Sequence, residues 1–293
     1  MRYSIRIAAS LILALFIFSA FKSDKPAYRL VTGESKKTEF SKMLKEAIEA
    51  DVVFFGELHN NPISHWLRLE LAEALLKEKD GRLILAAEMF EKDNQLLLDE
   101  YTSGTITERS FESQARLWPN YKTDYKPLTQ LARKHKLKFI ASNIPRRYAA
   151  MVNSGGFEAL ANLDPEAHKL IAPLPVPYDP ELGCYKKMME MQGGGAMGQS
   201  SPTFPMAQAI KDATMAHALL ADAGKGTTIL HFNGAFHTDF KEGIVWYLEK
   251  YKPGLKILTI TTVEQEALDT LDADNKGIAD YVIMVPANMT KTH

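Results

Sequence analysis

The tightest constraint on the fold is a set of short runs in which consecutive residues, not alternate ones, are apolar, each ending at a glycine or a polar residue. Val52-Val53-Phe54-Phe55 stops at Gly56, and the apolar run 83–87 stops at Glu88. A strand that is apolar at every position is covered on both faces, as parallel strands under crossover helices are. Between the two runs, Asn61-Pro62 reads as a helix cap followed by proline in the first helical position. Ile63, Trp66, Leu67, Leu71, Ala74 and Leu75 recur at helical spacing, and Asp80-Gly81 stops the helix. This order predicts an α/β fold with a mostly parallel central sheet flanked by helices.

The alternation continues down the chain. Further strands are expected at 138–141, 227–232, 256–262 and 281–285, with helices at 37–50 and 238–251. Two stretches interrupt it, near 93–118 and 146–204, and read as helical insertions in a single domain over 24–293. The second holds a proline-rich turn at 173–177 and the loop Gly193-Gly194-Gly195. Six of the twelve methionines fall between Met188 and Met215, so this insertion either packs an irregular helical core or forms a deformable apolar lid over a large flat ligand.

Residues 1–23 have a different character. Arg2 and Arg6 precede an apolar run at 7–18, closed by Ser19 and Ala20, which is the pattern of a secretory signal peptide. The run is shorter than the roughly 20 residues needed to cross a bilayer, so export followed by cleavage is expected, giving a periplasmic or envelope-associated protein. No cysteine stands near its end to accept a lipid, and the only cysteine, Cys184, excludes an internal disulfide and a thiolate zinc cluster. With 35 basic and 36 acidic side chains and no basic run, the chain offers nucleic acid no general attraction.

Polar residues gather where the apolar runs end. Glu57 and His59 follow the first, Glu88 the second, Asn143 with Arg146 and Arg147 the third, and 233–237, ending in His237, the fourth. In open parallel sheets, ligands bind in the crevice beyond the carboxyl ends of the strands. Two Gly-x-x-His units, Gly56 to His59 and Gly234 to His237, each turn the backbone out of a strand and set an imidazole at that mouth. His59 and His237 with Glu57 or Glu88 could form a divalent-metal site (His59, His237, Glu88), or a general base held by a carboxylate. Each histidine could equally serve only to cap the helix after it. His231, inside a strand, is expected to be a hydrogen-bonded core residue, and His65 to border the crevice at most. No Gly-x-Gly-x-x-Gly follows a strand, the triple glycine lying in the second insertion, and no Walker or Gly-x-Ser-x-Gly motif is present, which leaves dinucleotide binding and serine hydrolysis without support.

Five stretches together resemble the ChaN family of iron-regulated haem-binding proteins, in the Tiki and erythromycin-esterase-like superfamily. They are 53–60 (VFFGELHN), 87–90 (AEMF), 143–148 (NIPRRY), 207–216 (AQAIKDATMA) and 231–237 (HFNGAFH). The resemblance implies an α/β core with a helical region, haem as cofactor and a role in bacterial iron uptake. It also implies tyrosine among the haem ligands. Tyr148, beside the arginine pair, and Tyr178, in the proline-rich turn, are the first candidates for the iron, followed by His59 and His237. Arg146 and Arg147 would meet the propionates. A homodimer and an envelope haem-transport component are the expected partners. The alternative is a metal-dependent or histidine-based hydrolase acting through Glu57, His59, Glu88 and His237.

Overall fold

The computed structural model describes residues 25–193 and 202–293, without the side chains of 191–193. The expected signal peptide, Gly194, Gly195 and Met197 lie outside the described residues. Seven strands form one sheet: β1 (Arg29–Thr32), β2 (Val52–Glu57), β3 (Leu83–Glu91), β4 (Phe139–Asn143), β5 (Thr228–Gly234), β6 (Ile257–Gln265) and β7 (Tyr281–Pro286). Their order is β1-β7-β6-β2-β5-β3-β4. All pairings are parallel except β1 with β7. The sequence reading missed β1, whose four residues are too few to show a period.

Helices cover both faces. Along the chain they are α1 (Phe40–Glu49), α2 (Pro62–Glu78), α3 (Gln95–Ser103), α4 (Glu108–Gln114), α5 (Lys126–His135), α6 (Arg146–Gly155), α7 (Pro165–His168), α8 (Gly183–Gly193), α9 (Phe204–Leu219) and α10 (Ile244–Tyr251). Consecutive strand residues feed opposite layers, as the period of two requires. Val53 and Phe55 join the core under α1 to α5, while Val52 and Phe54 join the one under α6, α9 and α10. The chain therefore moves from β2 to β4 over one face and returns through β5 to β6 over the other. Phe54 and Phe55 are both fully buried, each contributing about 1.5–3 kcal/mol of transfer free energy.

Of the methionines expected in a core or a lid, Met215 is fully buried on α9, and Met188 and Met206 pack against the same cluster. The helix expected over 238–251 begins only at Ile244. Phe240 and Lys241 take left-handed dihedrals, φ 58 each, and Gly243 follows at φ 52, so one short 3-10 turn, Asp239–Lys241, stands in place of the first half. Edge strand β4 is protected by a side chain: the Gln95 amide donates to the Phe139 carbonyl and accepts from the Ala141 N–H.

Candidate functional site

The register of the central strands builds the site. Glu57, the last residue of β2, lies opposite Gly234, the last of β5, and Ala87 of β3 lies opposite Phe232 of β5. Glu88 consequently reaches the same end of the sheet and accepts the Gly234 N–H at 2.7 Å. His59 leaves β2 on a turn closed by the Asn61 N–H to the Leu58 carbonyl. Asn61, not a histidine, caps α2, its side chain accepting from the N–H groups of Ile63 and Ser64. A Cβ added to Gly234 would stand 2.7 Å from His59 Nε2 and 3.5 Å from Glu88 Oε2. Glu57, His59, Glu88 and His237 thus form one group centred on Gly234.

Gly234 has ordinary extended dihedrals, φ −56 and ψ 136, so its role is space alone. Gly234→Ala is expected to push the His59 ring out of place and to cost about 1–3 kcal/mol through overpacking. Urea denaturation alongside histidine-ring NMR would measure both effects. An unshifted His59 ring would contradict the contact.

The two halves of the group differ in charge. His59 Nδ1 donates to Glu57 Oε1 at 3.1 Å, and its Nε2 has no hydrogen-bond partner among the described residues. Burial lowers the His59 pKa, against the pull of Glu88 and with help from His237, so the ring is neutral with a lone pair on Nε2. His237 is held on both nitrogens: Nδ1 makes a close ion pair with Asp212, and Nε2 lies 3.3 Å from Glu88 Oε1. Burial opposes its charge, but Glu88 and Asp212 raise its pKa to about 10. Burial likewise opposes ionisation of Glu88, and His237 above all holds that carboxyl below its ordinary range. Asp212, fully enclosed, is raised by burial against the same imidazolium.

That geometry corrects two expectations. His237 offers iron no free nitrogen, and the metal set of His59, His237 and Glu88 does not assemble: among the described residues, no three His, Cys, Asp or Glu are grouped to hold a metal ion. Cys184 is a buried free thiol.

A buried network supports Glu57 from behind. Arg68, fully buried on α2, makes a close ion pair with Glu57, and Tyr125 donates its hydroxyl to Glu57 Oε1 at 2.7 Å. The guanidinium lies over the Tyr125 ring, 4.6 Å from its centroid, and burial lowers its pKa to about 10. Tyr125 comes from a π-helical turn, Tyr121–Tyr125, whose wide spacing turns Asp124 and Tyr125 inward. Trp118 meets the His59 ring edge to face at 4.9 Å.

The remaining candidates lie around this centre. His231 is buried and bonded to Ser142 and Asn233, as expected. His65 touches the His59 carbonyl at 3.0 Å. Tyr178 packs on the Tyr185 ring at 5.6 Å, and Tyr185 donates to Asp212 Oδ2, so Tyr178 is one ring away from the Asp212–His237 pair. Arg147 pairs with Asp93 and stacks on Tyr148, donating to its oxygen at 3.2 Å. Arg146 extends into solvent, its Nε 3.8 Å from Glu91. Sequence reasoning missed Arg68, Tyr125, Asp212 and Gln208, whose side-chain nitrogen lies 3.0 Å from His237 Nδ1. Gln208 and Asp212 sit four apart on α9, a shared face, and Arg68 interrupts an apolar stripe of α2.

Fold and site together define a three-layer α/β protein with a polar centre at the carboxyl ends of its parallel strands. The profile of a family described as haem-binding uptake, Tiki superfamily, ChaN, matches residues 43–248, and the chain belongs to that family. Among solved structures it is similar to ChaN of Campylobacter jejuni, described as binding haem cofacially, at 20% identity over 89% of this chain and 97% of that one, with a TM-score of 0.66. A succinoglycan biosynthesis protein is similar at 14% identity over 89% and 94%, TM-score 0.50. The erythromycin esterase EreC follows at 10% identity over 90% and 84%, TM-score 0.47. No curated protein matches the sequence.

Proposed function

We propose that this protein binds haem at the carboxyl ends of its parallel strands and serves bacterial iron acquisition after export to the envelope. Membership of a haem-binding uptake family supports the ligand. The observation that carries the site is His59: a partly exposed neutral imidazole with one nitrogen held by buried Glu57 and the other, beside Gly234 and Glu88, without a hydrogen-bond partner among the described residues. A carboxylate behind a ligating histidine fixes its tautomer and raises its basicity. When bound, haem would supply a ferric iron that takes protein donors and two propionates that take cationic partners. The donor set fits such a group. His59 Nε2 presents the lone pair, Trp118 supplies an aromatic wall, and Arg146 has a largely exposed guanidinium for a propionate. Arg147 is the weaker propionate partner because Asp93 and Tyr148 already hold it.

The phenolic donor is assigned to Tyr178 over Tyr148, since Tyr178 adjoins the Asp212–His237 pair through Tyr185. Burial raises the Tyr178 pKa, aided by Cys184 and Asp179, which favours the protonated phenol in the ligand-free protein. A cofacial arrangement, as described for the Campylobacter protein, would draw a second copy of this chain into the site. Haemin titration followed in the Soret region tests the proposal. Saturable binding is expected, with the spectrum altered in Tyr178→Phe and little changed in Tyr148→Phe. Absence of a saturable shift would overturn it. For export, intact-mass analysis of protein from the native envelope fraction is expected to show loss of about twenty residues; full-length mass in the membrane pellet would contradict cleavage.

A further inference from the structure

The turn that carries His59 is held from outside the sheet by a residue far away in sequence. Asn120 Nδ2 donates to the His59 carbonyl at 3.0 Å and to Asp124 Oδ2 at 2.6 Å. His65 Nε2 approaches the same two acceptors, at 3.0 Å and 3.4 Å. Onto this pair comes Thr292, whose hydroxyl donates to Asp124 Oδ2 at 3.0 Å and whose N–H donates to the Asn60 carbonyl at 2.9 Å. Thr292 also helps line a cleft of about 270 Å³ with Pro62, His65, Trp66, Asp124 and Leu128, directly beside this network. The peptide carbonyls of both His59 and Asn60 are therefore fixed by groups that meet at one carboxylate.

We propose that Thr292 is a positioning residue for His59: the segment it belongs to straps the 58–61 turn through Asn60 and Asp124 and thereby sets the direction of His59 Nε2. Glu57 fixes the ring from the Nδ1 side, within the sheet. The strap fixes the main chain from outside the sheet, so the residue is restrained at both its side chain and its backbone. A donor held in this way loses little rotational freedom when it takes a ligand. The inference builds on the reading of His59 as the iron donor, but its test reads the ring itself.

Thr292 lies in coil after β7, so Thr292→Pro removes both the N–H and the hydroxyl without interrupting an element. Histidine-ring proton–carbon NMR spectra of ligand-free protein are expected to show the His59 resonance shifted or split in Thr292→Pro, displaced less in Thr292→Ala, and unchanged in Thr292→Ser. Haemin binding in Thr292→Pro is expected to weaken roughly tenfold, the change that about 1.4 kcal/mol produces. A His59 resonance in Thr292→Pro superimposable on the wild type would overturn the strap. Failure of the wild-type protein to bind haemin would count against the haem reading alone, because the ring spectra decide the strap without any ligand.

Discussion

Arg68→Leu is expected to lower the unfolding free energy by about 3–5 kcal/mol, the cost of leaving one member of a buried ion pair behind. Glu57 is 1% exposed and Arg68 fully buried, so no water can replace the guanidinium. The lost cation also removes the face-on partner of Tyr125 and the donor to the Asp124 carbonyl. Equilibrium urea denaturation measures the loss. A change below about 1 kcal/mol, the size typical of exposed ion pairs, would show that Glu57 is not held as described.

His237→Leu is expected to be as damaging at pH 8, by about 3–5 kcal/mol, because it leaves Glu88 and Asp212 buried without their cation. The sign of the pH dependence follows from the direction of each pKa. In the wild type, the His237 pKa rises from its ordinary 6.5 to about 10. Its contribution is fully present below pH 6.5 and disappears as pH climbs through about 10. In the variant, the stranded carboxyls are raised by burial, so folding favours their protonated forms and the cost fades as pH falls. Between pH 7 and pH 10 the wild type is therefore expected to lose stability through His237, a loss the variant lacks, so the deficit shrinks toward alkaline pH. Thermal unfolding across that range checks it, and a deficit that stays constant from pH 7 to pH 10 would contradict the assignment of His237 as the site's cation.

Much of this arrangement is legible in the sequence because the strand signal and the site signal coincide. The doubly apolar runs at 52–55 and 83–87 end where Glu57 and Glu88 begin, so identifying the parallel strands also locates the crevice. The two Gly-x-x-His units look equivalent in sequence and differ in the fold. His59 is backed by a carboxylate two residues earlier on its own strand. His237 is clamped by Glu88 from β3 and Asp212 from α9, both distant along the chain, so no local pattern announces that its nitrogens are committed. Arg68 illustrates a signal present but unread: a charge among Ser64, Leu67, Leu71 and Leu75 on the buried face of α2 requires a buried counter-charge. The delay of α10 to Ile244 was hidden for another reason. Left-handed dihedrals at Phe240 and Lys241 interrupt the helix ahead of Gly243, and neither phenylalanine nor lysine advertises them.

The most direct measurement of the central claim is a haemin titration of wild-type protein against His59→Ala, each monitored by absorbance, with far-UV circular dichroism as the control for fold. The ring of His59 is partly exposed, and its loss leaves the Glu57–Arg68–Tyr125 network in place, so the variant is expected to fold. Wild-type protein is expected to give a saturable Soret shift, and His59→Ala to bind at least about tenfold more weakly, a loss of about 1.4 kcal/mol or more, with an altered spectrum. Equal affinity and an identical spectrum in a folded His59→Ala would contradict the claim that the strand-end centre holds the haem.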